Sequence, residues 1–150
     1  MRRMLRIAAS TAIAGMTALS LTSFASADAV EERQAKMKTV GKSMGVVGKM
    51  AKGAEAFDAQ AALAALVAMK EAAAGFETLF PDGSGEGKTE AAPAIFSDRA
   101  GFDAKNVAFR ATLDKVSASA PADLAALQAS VGELGQNCGS CHKAYRVKKN

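Results

Sequence analysis

Tryptophan is absent from this 150-residue chain, tyrosine and histidine occur once each, cysteine twice and proline three times. One histidine and two cysteines make three of the ligands that a structural zinc ion takes in fours, which argues against an ordinary zinc site. Runs of β-branched and aromatic residues are also missing, and aromatics make up 5% of the chain, so there is little from which to build strands. The strand–helix–strand setting of a thioredoxin-like cysteine pair goes with them. No second long apolar run follows the first one, which leaves nothing to span a membrane once the N-terminal segment is removed.

That first segment reads as a leader. Arg2, Arg3 and Arg6 precede an apolar run from Ile7 to Leu21, interrupted by Ser10, Thr11, Thr17 and Ser20 and followed by the small residues Ala25-Ser26-Ala27. This is the pattern of a secretory signal peptide over residues 1–27, cleaved after Ala27, and it implies export to the periplasm. Residues 28–150 then form a mature chain of 123 residues, enough for one domain with one core. The 19 basic residues less the three leader arginines leave 16 against 15 acidic ones. A mature chain so nearly neutral lacks the basic bias of a nucleic-acid partner.

Four segments are rich in Ala, Leu, Met, Lys and Glu, which favours helix, and the expected fold is an all-α, antiparallel up-down-up-down four-helix bundle. The first covers 28–51, with Val30, Arg33, Met37, Val40, Met44 and Val47 recurring at steps of three and four. Asp58 suits the N-cap of a second helix reaching Phe80, with Leu63, Leu66, Met69, Ala73 and Phe76 along one side. Residues 81–94 carry Gly and Pro without apolar period and form the long connection. A third helix starts at Ser97 or Asp98, turns Phe102, Phe109, Leu113 and Val116 inward, and stops at Ala120-Pro121. Pro121 fits the first turn of the fourth, whose seam is Leu124, Leu127, Val131, Leu134, Cys138, Cys141 and Tyr145. Gly41, Gly45 and Gly48 weaken the first helix by about 1 kcal/mol each relative to Ala. Close helix packing and room for a flat ligand both account for them.

On the fourth helix stands Cys138-Gly139-Ser140-Cys141-His142, the C-x-x-C-H attachment signature of a c-type haem. Residues three and four apart share a helix face, so both thiols can add to the haem vinyl groups while His142 meets the iron from the same side. Thioether formation also explains how two cysteines survive an oxidising compartment without pairing. The competing account is a buried disulfide beside a core histidine, and it leaves the joint occurrence of motif, leader and core-facing placement unexplained. His142 is the only histidine, so iron ligation by two histidines within one chain is excluded.

The sequence resembles the class II c-type cytochromes, the cytochrome c′ family. The resemblance rests on Cys138 to His142 continuing into Lys143-Ala144-Tyr145-Arg146, on Pro93-Ala94-Ile95-Phe96-Ser97-Asp98, and on Arg33 one turn before Met37. Phe96 replaces the tryptophan often found there. The resemblance implies a four-helix bundle with one covalent haem c near the C-terminus, as a monomer or an antiparallel homodimer through the first two helices. At the position of Met37 the family has either an apolar residue, leaving iron five-coordinate, or a methionine that ligates it in a low-spin electron-transfer branch.

Helix geometry favours the same methionine. In an up-down-up-down bundle the free ends of the first and fourth helices lie together; His142 is about 12 Å from the C-terminus and Met37 about 14 Å from the mature N-terminus at helical rise. Met44 and Met50 lie about 24 and 33 Å along. Core filling is the alternative for Met37. Arg33, on the same face, is read as a partner of a haem propionate or as a solvated arginine at the bundle end. Arg146 resembles the family arginine near the haem, or compensates the helix dipole together with Lys148 and Lys149.

The function expected is one-electron transfer between periplasmic redox donor and acceptor proteins, with no catalytic acid, base or nucleophile, since the chemistry belongs to the cofactor. The alternative is a five-coordinate, high-spin cytochrome c′ that binds nitric oxide or carbon monoxide at an open distal site. A further alternative is a helical interaction protein without haem. The basic residues Lys143, Arg146, Lys148 and Lys149 suit either a solvated helix end or an acidic partner.

Overall fold

The computed structural model describes the backbone of residues 18–147 and the side chains of 27–147. The leader arginines and most of the leader, and Lys148 and Lys149, lie outside the described residues.

Four long helices and one short one carry the fold. Helix α1 runs Ala18–Ala51, so helical backbone extends upstream of the expected start at residue 28. Its inward stripe includes the buried Val40, Val47 and Met50. Helix α2, Ala59–Ala73, begins as expected at Asp58, whose carboxylate accepts from the amides of Gln60 and Ala61 at 2.9 Å. It presents Ala62, Ala65, Leu66 and Met69 to α1 and α4. It does not reach Phe80: Ala74 turns extended, Gly75 takes a left-handed φ of 66°, and Phe76–Leu79 continues as a 3-10 turn. Glycine is the residue that adopts that φ without strain, so the sequence expected as one helix is broken at Gly75.

After the crossing, residues 80–93, α3 is a single short helix, Ala94–Ser97, and α4 spans Arg99–Val116. Asp98 caps α4 as expected, accepting from the amide of Gly101 at 3.1 Å. α4 ends before Ala120, because the amide and hydroxyl of Ser117 both turn back to the carbonyl of Leu113. Pro121 does not open the last helix. Asp123 does, by accepting from the amide of Ala126 at 2.8 Å, and α5 covers Leu124–Tyr145. Leu124, expected on the seam, is exposed because it is the first residue past that cap.

α1 packs on α2 and α5, and α4 packs on the same two, giving the square of an up-down-up-down bundle. One core fills the bundle around Leu66, Met69, Leu113, Leu127 and Leu134, each fully buried and worth about 1.5–3 kcal/mol of transfer free energy. A second cluster, Phe76, Phe80, Ile95, Phe102 and Tyr145, closes the end that carries the C-terminus. Among its rings Phe76, Phe80, Phe102 and Tyr145 meet edge to face in succession at centroid separations of 5.3, 4.8 and 5.4 Å.

The crossing is pinned from α1. The Arg33 guanidinium donates to the carbonyl of Leu79 (3.0 Å), to the hydroxyl and carbonyl of Ser84 (3.0 and 2.6 Å) and to the hydroxyl of Thr89 (2.7 Å), and it stacks over the Phe80 ring. Gly85 lies so close to the Phe96 ring that a Cβ there would fall 2.6 Å from it. The crossing also holds the end of α5: Ala91 and Arg146 form an antiparallel bridge, and Val147 donates to the carbonyl of Glu90.

Candidate functional site

Between α1 and the last turns of α5 the bundle opens into a cavity of about 1060 Å³. Cys138, Cys141 and His142 project into it from α5, brought to one side by their spacing. Met37 faces them from α1 and packs, like Cys141, against the aromatic cluster. Phe76, Phe80, Ile95, Phe102 and Phe109 supply an apolar wall.

Gly41, Gly45 and Gly48 also line the cavity, on the α1 side. A Cβ built on any of the three meets nothing within 4 Å. Close helix packing therefore does not explain them; they leave space, which is the second of the two accounts open from sequence. The result is a slot with glycines on one wall and two thiols with an imidazole on the other.

Neither cysteine is in a disulfide, and both are half-buried. Burial pushes both thiols above their usual range, and the charge of Cys138 adds to the rise at Cys141. A redox-active C-x-x-C pair needs the opposite shift, so the electrostatics disfavour thiol–disulfide chemistry. His142 is lowered by burial and by the neighbouring Arg146 charge, which favours the neutral imidazole that a metal requires.

Arg33 is not a solvated arginine. It is 4% exposed, burial lowers its pKa, and no carboxylate pairs with it among the described residues. It borders the cavity all the same. Arg146 also borders the cavity and is half-exposed, with its guanidinium on the Glu90 carboxylate and its amide capping α5 at the carbonyl of His142. Tyr145 is packing, as expected, and its hydroxyl donates to Asp98 at 2.7 Å.

Asn106 was not singled out by sequence reasoning. It is buried on the cavity wall between Phe102 and Phe109, with its side-chain amide on the Phe102 carbonyl at 2.9 Å. The signal that could have found it is a polar residue four positions after Phe102, on an otherwise apolar seam. Lys38 on α1, Lys52 in the turn that follows it, Lys88 in the crossing and Lys105 on α4 also border the cavity, and no linear motif joins them.

A family model described as Cytochrome C′ matches residues 28–146. The chain belongs to the cytochrome c′ family. Cytochrome c-556 of Agrobacterium tumefaciens (strain II Chrys) is 42% identical over 120 residues, 80% of this chain and 98% of that one. The crystal structure of cytochrome c′ from Rubrivivax gelatinosus shares 36% identity and a TM-score of 0.75, covering 81% of this chain and 96% of its own. A nitric oxide complex of a cytochrome c prime variant from Alcaligenes xylosoxidans matches at 36% identity and a TM-score of 0.74, over 83% and 97%.

Membership in the cytochrome c′ family makes covalent haem c the cofactor, one per chain, and electron transfer the family's chemistry. The residues fit that group. An apolar slot whose glycines leave one wall bare takes a flat macrocycle, and unpaired thiols beside a neutral imidazole are the donor set it needs. A buried cation without a protein counter-charge suits a cofactor that brings carboxylates of its own. Among the described residues no helix is long and apolar enough to cross a membrane.

Proposed function

We propose that this cytochrome c′ family member is an exported one-electron carrier, whose haem would be joined to Cys138 and Cys141 and whose iron would be ligated by His142 and Met37. The observation that carries this reading is Met37, a thioether on the wall of the cavity that contains His142, packed on the same aromatic cluster as Cys141.

The haem supplies the ferric–ferrous couple. Cys138 and Cys141 tie it to α5, so it is retained in both oxidation states. His142 donates a neutral nitrogen from the same turn. Met37 contributes a soft sulfur, which favours the reduced iron and raises the potential relative to harder ligands. Phe80, Phe102 and Ile95 keep water from that side, and a fixed ligand pair in a dry wall keeps reorganisation small. Arg33 offers the counter-charge for a propionate: four of its N–H groups hold the crossing, and Nε–H is not among them. Arg146, already on Glu90, lies at the same mouth.

Export is read from the leader, and the family match begins at 28, directly after the expected cleavage site. The mature protein then meets its donor and acceptor in the periplasm.

Carbon monoxide tests the assignment of Met37. The ferrous wild-type protein is expected to take it up slowly or not at all, and Met37→Ala rapidly, because the substitution opens the distal position. Equally rapid uptake by both proteins would make Met37 packing only and leave the iron five-coordinate.

A further inference from the structure

The mature chain is close to neutral, yet its charge is unevenly placed. Around the cavity stand Lys38, Lys49, Lys52, Lys88, Lys105 and Arg146, with Glu90 as the one carboxylate among the described residues that line it. Glu90 is taken up by Arg146, and Lys49 pairs with Glu55 at 2.9 Å. Lys38, Lys52, Lys88 and Lys105 are exposed and form no ion pair among the described residues. By contrast, Lys70 and Lys115, on faces away from the cavity, sit 2.8 Å from Asp114 and Glu133. Of the six exposed lysines that form no ion pair among the described residues, these four border the cavity and Lys42 and Lys143 do not, while every acidic residue except Glu90 lies off the lining.

We infer that this rim is a docking surface for an acidic face of a redox partner protein, with Lys38, Lys52, Lys88 and Lys105 as its contact charges. The inference rests on the electron-carrier reading, because a carrier must present its cofactor's opening to another protein. An excess of positive charge around the opening gives it a potential that steers an approaching anionic surface toward it. The cluster expected from sequence at the end of α5 is a different set: Lys143 is exposed but does not line the cavity, and Arg146 is already paired.

The test uses the haem-loaded protein and the rate of its oxidation by two small oxidants, anionic hexacyanoferrate and a cationic cobalt complex, across ionic strength. Wild type is expected to react faster with the anion at low salt, and the advantage should collapse as the Debye length shortens. Replacing all four rim lysines by Gln should slow the anionic reaction about tenfold at low salt and flatten its salt dependence. Lys70→Gln with Lys115→Gln should leave both rates where they were. Polyglutamate should compete for the wild-type rim and not for the rim variant.

Unchanged rates and salt slopes in the rim variant would overturn the proposal. So would lost haem in that variant, since the lysines would then be holding the cofactor itself. Co-sedimentation of wild type with phosphatidylglycerol vesicles at physiological salt would reassign the rim to a membrane surface. A high-spin ferric spectrum would count against the carrier reading alone, whatever the salt dependence shows.

Discussion

Arg33 carries its charge into the protein with hydrogen bonds and an aromatic ring for company but, among the described residues, no carboxylate. Burying an ion that way costs several kcal/mol unless the surroundings answer it, and here they are the backbone and hydroxyls of the crossing. Arg33→Met should strip donors from the carbonyls of Leu79 and Ser84 and cost about 1–3 kcal/mol, read as a lower unfolding temperature and faster amide exchange over 79–89. The potential should fall too, since a positive charge beside the site disfavours ferric iron. Tyr145 and Asp98 support one another differently. The hydrogen bond holds the Asp98 carboxyl below its usual range and pushes Tyr145 up to about 12. The depressed carboxyl contributes stability that is present above its unfolded pKa, about 3.9, and lost as pH falls through the folded value. The raised phenol contributes stability that is present below about 10 and lost as pH rises through about 12. Tyr145→Phe, which keeps the ring against Phe102, should therefore flatten the dependence of the urea midpoint on pH at both ends; an unchanged profile would show the bond to be idle.

The helices were legible because apolar residues recur at helical spacing and because Asp58 and Asp98 are caps that a linear reading can find. Their ends were less so. Nothing local distinguishes Gly75, which breaks α2, from Gly41, which sits inside α1; the difference is that the chain must turn at one and stay straight at the other. The three α1 glycines had two accounts until their surroundings were known, because packing and emptiness look alike in a sequence. They can be separated again in solution. Gly41→Ala should be tolerated and should stabilise the helix by about 1 kcal/mol, since its Cβ meets nothing within 4 Å. Gly41→Leu, one turn from Met37, should fill the slot and lower the haem content of purified protein. Full haem content with leucine there would place the cofactor elsewhere.

At the scale of the whole molecule, the bundle and its cofactor motif could be read from the chain, while the cavity mouth could not. Cys138, Cys141 and His142 are neighbours in sequence, so spacing alone brings them together. Lys38, Lys52, Lys88 and Lys105 lie on α1, in the turn after it, in the crossing and on α4, and only the fold sets them around one cavity. Arg33 was visible as an oddity, a charge on an apolar seam, but its grip on residues 79–89 depends on a loop path that has no periodic signal. Export remains a molecular property with a direct check: protein isolated from the periplasm should begin at Asp28, and a chain that retains Arg2 and Arg3 would show that the leader is not removed.

The central claim is that Met37, with His142, would ligate the haem iron. The most direct test is the optical spectrum of the ferric, haem-loaded wild-type protein, recorded into the long-wavelength region. Low-spin bands with a weak sulfur-to-iron charge-transfer band, the latter lost in Met37→Ala, are the predicted result. A high-spin ferric spectrum that is the same in wild type and Met37→Ala would contradict it.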